Sequence, residues 1–144
     1  MFSKACEYAI RATIYVAVLS LNDKRTSLKA IAKEIDSPVA FTAKIMQQLV
    51  RNDIMFSVMG PTGGFQMDKE KIEQTMLCDV VNAIDGDSIY QGCALGLSEC
   101  NALHPCPLHD KFLTIRQDLQ GMLEKTSILH LAEELETGLT FLKR

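Results

Sequence analysis

The sequence predicts a mainly α fold with a small β-hairpin wing: a winged helix-turn-helix followed by a long helix. Two short amphipathic segments meet at a tight turn at residues 36–38, which is typical of helix-turn-helix. Two strand-like runs then flank the glycine-rich segment 60–64, and they predict the hairpin. A segment from Pro107 to about Thr126 repeats apolar residues at heptad spacing, which predicts the long helix.

The first two helices are predicted by apolar periodicity and by capping residues. Residues 5–21 carry a broad apolar stripe, so this helix should be largely buried. Thr26 and Ser27 are the candidates for the N-cap of the second helix. The apolar residues of the second helix follow helical spacing and should face the core: Leu28, Ile31, Ala32 and Ile35.

The third helix, with Ser37 as its predicted N-cap and Pro38 at its first helical position, has two distinct faces. One face is apolar and contains Phe41, Ile45 and Leu49. The other combines small, amide and basic side chains at helical spacing: Ala40, Ala43, Lys44, Gln47 and Arg51. Small residues permit close approach to DNA, glutamine pairs with adenine, and lysine or arginine binds guanine or phosphate. This face is either a DNA-reading surface or an ordinary solvated one.

The hairpin after the third helix favours the DNA-reading interpretation. In a winged helix, the helix enters the major groove and the wing approaches the neighbouring backbone or minor groove. We therefore predict binding to double-stranded DNA through the mixed face of the third helix and through Gly60, Thr62 and Gly63 of the wing. A phosphate-binding loop is the alternative for a glycine run, but the G-x-x-x-x-G-K-[ST] pattern is absent.

The charge distribution agrees with two modules. The chain of 144 residues is 47% apolar and has a net charge of −3. Residues 1–71 carry ten Lys and Arg against seven Asp and Glu, whereas residues 72–144 carry five against eleven. A basic first half and an acidic second half favour a DNA-reading module followed by a regulatory or assembly module. We expect a DNA-binding domain at 1–86, a cysteine-rich loop at 87–109, and a dimerisation helix with a C-terminal helix and tail at 110–144.

The remaining helices are predicted from caps and glycines. Thr75 should cap a helix that ends at Gly86, and Ser127 should cap the last helix. Beyond Gly138, the apolar residues 139–142 form a tail that should dock on the protein.

The long helix presents an apolar seam that needs a partner. Its members advance by four, three, four and three positions: Leu108, Phe112, Ile115, Leu119 and Met122. Such a seam, if exposed on a monomer, would favour aggregation. We therefore expect a homodimer formed through these residues.

Three of the five cysteines and two of the three histidines lie within residues 93–109. Closely spaced thiolates repel one another unless a soft metal neutralises them, and the Gly, Ser, Asn and Pro of this loop let it wrap around an ion. The predicted ligands are Cys93, Cys100 and Cys106, and His109 can complete a four-ligand site. Their wide spacing favours an iron–sulfur cluster over zinc.

Other interpretations of the cysteines stay open. A disulfide would leave one of the three unpaired, and a nucleophile needs only one thiol with a nearby base. Zinc or a thiol switch is the alternative to a cluster, whereas a thiol redox enzyme is disfavoured because no C-x-x-C motif is present. Cys6 and Cys78 lie apart from the loop and should be packed residues.

Together these motifs resemble the Rrf-two family of bacterial winged-helix regulators, which includes IscR, NsrR and RirA. The resemblance covers nearly the whole chain. Five stretches carry it: Glu7-Tyr-Ala-Ile-Arg11, Ile31-Ala-Lys-Glu-Ile35, Phe41-Thr-Ala-Lys-Ile45, Gly60-Pro-Thr-Gly-Gly64 and Cys106-Pro-Leu-His109 with the cysteines before it. Met59 stands where many relatives have an arginine, and the first cysteine gap is one residue longer than in several of them.

The resemblance implies a homodimer that binds an imperfect palindrome, with the long helices crossing. It implies that the three loop cysteines hold a 2Fe–2S or 4Fe–4S cluster. The fourth ligand is a histidine just after the third cysteine in some relatives, which corresponds to His109, and an acidic residue of the first helix in others, which corresponds to Glu7. The expected function is a transcriptional regulator, a repressor without enzymatic activity, that senses iron–sulfur status, nitric oxide or oxidants.

The sequence also predicts a cytoplasmic protein without membrane attachment. No secretory leader is recognisable, and the longest apolar stretch, residues 12–21, is too short to span a bilayer. A reducing compartment agrees with cysteines that bind metal rather than form disulfides.

Overall fold

The first helix, α1 (Lys4–Leu21), is the element around which the others pack in the computed structural model, which describes residues 1–143. Ser3 caps it by accepting a hydrogen bond from the amide of Cys6 at 3.0 Å. Small and β-branched side chains make up most of its buried side and let neighbouring helices approach closely: Cys6, Ala9, Ala12, Thr13, Ile14, Val16, Ala17 and Ser20. The prediction of a largely buried first helix is therefore confirmed.

Helices α2 (Leu28–Glu34) and α3 (Val39–Arg51) form the predicted helix-turn-helix. Ser27 caps α2 by accepting from the amide of Ala30 at 3.1 Å. The predicted cap of α3 is wrong: the helix begins one residue later than expected, its N-cap is Pro38, and no side chain caps it. Ser37 therefore lies outside the capping position, and within the described chain its buried hydroxyl has no hydrogen-bond partner.

The wing consists of two short antiparallel strands, β1 (Phe56–Val58) and β2 (Gly64–Gln66). They are shorter than the predicted runs because the flanking Ile54, Met55 and Met67 are buried in the helical core instead. Thr26 pairs with Phe65 in an isolated antiparallel bridge, which explains why it does not cap α2.

Two wing glycines are required by close backbone contacts. A side chain at Gly63 would collide with the carbonyl of Val58. At Gly64, where φ is +141°, it would lie 2.5 Å from the carbonyl of Thr26. The glycine run therefore lets the hairpin fold tightly against the start of the helix-turn-helix.

Three helices follow the wing, and two of them were not predicted: α4 (Lys69–Gln74), α5 (Leu77–Asp85) and α6 (Ser88–Gln91). Only one residue of α4 and none of α6 is buried, so neither has an apolar periodicity that the sequence could show.

The N-cap predicted for α5 is wrong. Thr75 is the C-cap of α4, and its hydroxyl donates to the carbonyl of Lys71 at 2.6 Å, while Met76 takes the N-cap position of α5. The predicted end of α5 at Gly86 is confirmed, with φ at +68°.

The long helix α7 (His109–Lys125) begins two residues later than predicted and is followed by α8 (Ile128–Glu136). Ser127 caps α8 as expected, because its hydroxyl accepts from the amide of His130 at 3.1 Å. Leu123 and residues of α8 belong to the same core as α1. The first and last of the predicted segments, 1–86 and 110–144, therefore share one core, and the division at 1–86, 87–109 and 110–144 stays a prediction.

The C-terminal tail docks only in part. Leu142 is half-buried, and Lys143 pairs with Glu34 of α2 at 3.1 Å. Leu139 and Phe141 are 74% and 77% exposed, so the prediction that the tail packs is wrong for these two side chains. Arg144 lies outside the described residues.

None of the helices within residues 1–143 combines the length and the hydrophobicity that a membrane-spanning helix requires.

Candidate nucleic-acid interface and thiol site

The two faces predicted for α3 are present in the structure. Ile45 and Leu49 are fully buried against α1 and α5, and Phe41 is half-buried. The mixed face is turned outward. Its members are exposed, apart from the half-buried Ala43: Ala40, Ala43, Lys44, Gln47 and Arg51. The amphipathic spacing therefore leaves one contiguous polar and basic surface free to contact a partner.

A groove of about 450 Å³ separates this face of α3 from the wing. Gln47 and Arg51 line it from the helix, while Met59 and Phe65 line it from the hairpin. Met59 is 91% exposed. The predicted wing residues are at the tip of the hairpin, with Gly60 and Thr62 exposed and Gly63 half-buried.

The sequence did not indicate that Arg25 belongs beside the wing. Its Nε donates to Oε1 of Gln66 at 2.8 Å, and Arg25 lines a second cavity, of about 540 Å³, with Lys24 and Thr62. Two adjacent basic residues were the only signal, and they occur where the chain leaves α1. The structure therefore places basic side chains on both sides of the wing.

The loop cysteines have different surroundings. All five cysteines of the chain have free thiols, and the side chain of Cys106 is close enough to Cys93 to lower the pKa of its thiol. Cys100 contacts His109, with its Sγ 3.4 Å from Nδ1 of that ring. Within residues 1–143, no three Cys, His, Asp or Glu side chains converge on a point that could hold one metal ion.

Arg116 of α7 contacts this loop at two points. Its Nη2 donates to Sγ of Cys100 at 3.2 Å, and its Nη1 donates to the carbonyl of Gly92. Sequence reasoning missed this residue. The available signal was its position seven residues after His109, which places both side chains on one face of a helix.

Backbone amides and a cation favour the thiolate form of Cys93. Hydrogen bonds from the backbone of Leu95 and Leu97 lower the pKa of this thiol, and the Cys106 side chain and the charge of Arg116 lower it further. Since the thiolate is the metal ligand and the nucleophile, Cys93 is prepared for either chemistry.

Cys6 has the opposite environment. Burial in α1 raises the pKa of Cys6 to about 12, and the carboxylate of Asp85 adds to the effect through its charge and a hydrogen bond. Burial also raises the pKa of Cys78. The expectation that both are packed residues agrees with their positions, since Cys6 is fully buried and Cys78 packs against the core.

The raised pKa of Cys6 predicts a loss of stability at alkaline pH. The pKa of a cysteine in an unfolded chain is about 8.5, whereas that of Cys6 in the folded protein is about 12. The stability of the fold is therefore fully retained below the unfolded pKa and decreases as the pH rises toward 12. Between about pH 8.5 and 10.5, the free energy of unfolding from urea titrations should decrease more steeply for the wild type than for Cys6→Ser. Equal slopes for the two proteins would contradict this assignment.

Glu7, the alternative fourth ligand, is exposed on the first turns of α1. Its carboxylate pairs with Nζ of Lys4 at 3.1 Å. The structure brings His109, but not Glu7, into contact with a loop cysteine within the described part of the chain.

The loop supplies soft donors of the kind that both zinc and iron–sulfur clusters bind: three cysteine thiols and the imidazole of His109. Within residues 1–143, no three Cys, His, Asp or Glu side chains gather at one point. Arg116 adds a positive charge beside the sulfurs, and its buried Nε has no acceptor in the described structure. This environment suits a thiolate-rich anion.

The seam predicted on α7 is only partly covered by the protein itself. Ile115 and Met122 are 54% and 45% exposed, while Leu108 and Phe112 are half-buried. Leu119 packs against the core. An apolar strip on the outer side of α7 is therefore available to a partner.

Known proteins share both the sequence pattern and this fold. A family model named Rrf2, described as an iron-dependent transcriptional regulator, matches residues 2–134. A protein of Aquifex aeolicus that carries the name of an HTH-type transcriptional regulator is 31% identical over 131 residues, which cover 89% of this chain and 88% of that protein.

Solved structures with similar folds are regulators as well. CymR (YrzC), the global cysteine regulator of B. subtilis, has a TM-score of 0.75 at 20% identity, over 92% of this chain and 96% of that one. The oxidised form of Staphylococcus aureus CymR has a TM-score of 0.73 at 21% identity, over 92% and 96%. T. potens IscR has a TM-score of 0.73 at 13% identity, over 98% and 92%. At these identities the structures support the fold alone.

Proposed function

The chain belongs to the Rrf2 family of transcriptional regulators, and from this premise we propose that it is a cytoplasmic homodimeric repressor whose DNA affinity is set by its cysteine loop. The family consists of regulators rather than enzymes, and the chain has the winged helix such regulators share.

The observation that carries the DNA-binding proposal is the outward face of α3 beside the wing. Lys44, Gln47 and Arg51 are exposed on that face, and Arg25 lies on the far side of the wing. A helix enters the major groove with such a face, where glutamine reads adenine and arginine reads guanine. Basic side chains on both sides of a hairpin suit the phosphates that border a groove.

Replacing Gln47 with Ala should relax base preference, and replacing Lys44 with Ala should weaken binding to all sequences. A lost base contact costs about 1–3 kcal/mol, whereas a lost phosphate contact reduces the salt slope by about one unit. Fluorescence anisotropy with a palindrome selected from random DNA, at several salt concentrations, measures both effects. Lys125→Ala, a charge change in the last turn of α7, is the control. Unchanged binding by both test variants would exclude α3 as the reader.

We further propose that the loop holds an iron–sulfur cluster through Cys93, Cys100 and Cys106, with His109 or Glu7 as the fourth ligand. Two features support it: the lowered pKa of Cys93 and the cationic Arg116, which has no carboxylate partner in the described chain. When bound, the cluster supplies a centre that reacts with oxidants or nitric oxide. A non-cysteine ligand at the fourth position makes that site the more labile one.

A second candidate is a thiol switch without a cluster, and it is favoured by the Cys106 side chain, which is close enough to Cys93 to lower the pKa of its thiol. An oxidant would convert these two thiols to a disulfide and be reduced in the process, while Cys100 remained with His109. Iron, zinc and acid-labile sulfide analysis after anaerobic purification separates the candidates. Equal amounts of iron and sulfide indicate a cluster, and zinc indicates a zinc site. A repressor that binds DNA but contains no iron, sulfide or zinc indicates the thiol switch.

A further inference from the structure

Arg116 of α7 donates hydrogen bonds to the cysteine loop at two separate points, and within residues 1–143 no other side chain of this helix does so. In the described structure its guanidinium spans from the carbonyl of Gly92, next to Cys93, to the Sγ of Cys100. We propose that Arg116 is a positioning residue that transmits the state of the Cys100 sulfur to α7. The part of this inference that concerns cluster loading rests on the proposed function above.

The loop supplies the hydrogen-bond acceptors of the Arg116 guanidinium. None of the five ion pairs found within residues 1–143 includes Arg116. Its Nε is buried and has no acceptor, which costs free energy in this state. The carbonyl of Gly92 and the sulfur of Cys100 are therefore the groups that hold the guanidinium in place, and replacing either contact should release it.

Release of the Arg116 guanidinium would affect α7 and its apolar seam because of where Arg116 lies in this helix. It follows directly after Ile115 of the exposed seam, and it shares a helix face with His109, whose ring contacts the same sulfur. A ligand on Cys100, or oxidation of Cys100, changes what the guanidinium can hold. Because the seam lies on the same rigid helix, a shift of α7 relative to the loop also moves the surface that we assign to the dimer.

A double-mutant cycle in the metal-free protein tests this coupling without any cluster. Amide hydrogen exchange followed by mass spectrometry is measured for wild type, Arg116→Gln, Cys100→Ala and the double variant. The amides to follow are those that hold the loop and the start of α7, including Gly96, which bonds to the Cys93 carbonyl at 3.0 Å, and His109, which bonds to Cys106 at 3.0 Å. Each single change should raise their exchange rates about tenfold, and the double change should add little more.

Two further variants distinguish a specific contact from a general packing role. Arg116→Lys keeps the charge but not the two-pronged donor, so it should restore loop protection only in part. Lys125→Gln removes a positive charge from the exposed end of α7 and should exchange like wild type. Additive effects of the two single changes, or wild-type exchange in Arg116→Gln, would overturn the proposal. If Arg116→Gln does not fold, Arg116→Lys carries the test, and wild-type exchange there overturns it.

A separate arm uses anaerobically reconstituted protein. Loss of Arg116 should shift the midpoint potential and the visible spectrum, and it should reduce the ratio of DNA affinities between loaded and metal-free forms at least fivefold. An unchanged ratio would overturn the transmission role. If wild type takes up no iron, the cluster assignment fails, while the exchange cycle still decides the role of Arg116.

Discussion

Replacing Ile115 with Glu should convert the proposed homodimer to a monomer that no longer binds a palindrome tightly. Ile115 is 54% exposed near the middle of α7, with the half-buried Phe112 one turn before it. A carboxylate buried between two apolar seams loses its hydration without gaining a partner. Separate monomers would also lose the fixed spacing of two reading heads, which a palindrome requires.

Light scattering at about 10 μM, together with anisotropy on the selected palindrome, measures both consequences. Thr114→Glu is the matched control, since it adds the same charge one residue away, about 100° around the helix on the solvent side. It should remain dimeric and bind DNA. A monomeric wild type, or a dimeric Ile115→Glu, would show that the seam of Leu108, Phe112, Ile115, Leu119 and Met122 is not the interface.

Elements with local signals were predictable from the sequence. The helix-turn-helix follows from apolar spacing. Ser27 and Ser127 mark the starts of α2 and α8, and Gly86 marks the end of α5, as their capping preferences predict. The N-caps predicted at Thr75 and Ser37 are wrong because each residue lies one position before the N-cap in the structure. Local propensity predicts a helix start to within about one residue, and tertiary packing decides which residue it is.

The candidate site divides in the same way. The exposed face of α3 was predictable because it depends only on helical spacing within thirteen residues. Arg25 meets Gln66 across 41 positions, and Arg116 meets Cys100 across 16, so neither contact has a local signature. Which of the cysteine thiols lie near one another is likewise decided by the tertiary fold. Three cysteines in a loop predict soft-metal chemistry, but not which sulfur contacts an arginine.

Replacing Cys100 with Ala should abolish the proposed cluster and its control of DNA binding. Three thiolates with one weaker ligand leave no spare donor of comparable softness, so loss of one sulfur removes a ligand that neither His109 nor Glu7 replaces. The variant should contain little iron, lack the visible absorption of a cluster, and bind DNA with one affinity whether or not iron and sulfide are supplied.

Iron and sulfide per monomer, with the anaerobic visible spectrum, measure this loss in Cys100→Ala beside Cys78→Ala. Cys78 packs against the core and has a raised pKa, so its variant should keep a full cluster. The fourth ligand follows from the same series: His109→Ala should weaken the cluster because its imidazole already contacts Cys100, and Glu7→Ala should not. An unchanged cluster in Cys100→Ala would exclude the three-thiolate site, and an unchanged cluster in both other variants would assign the fourth position to another residue or to water.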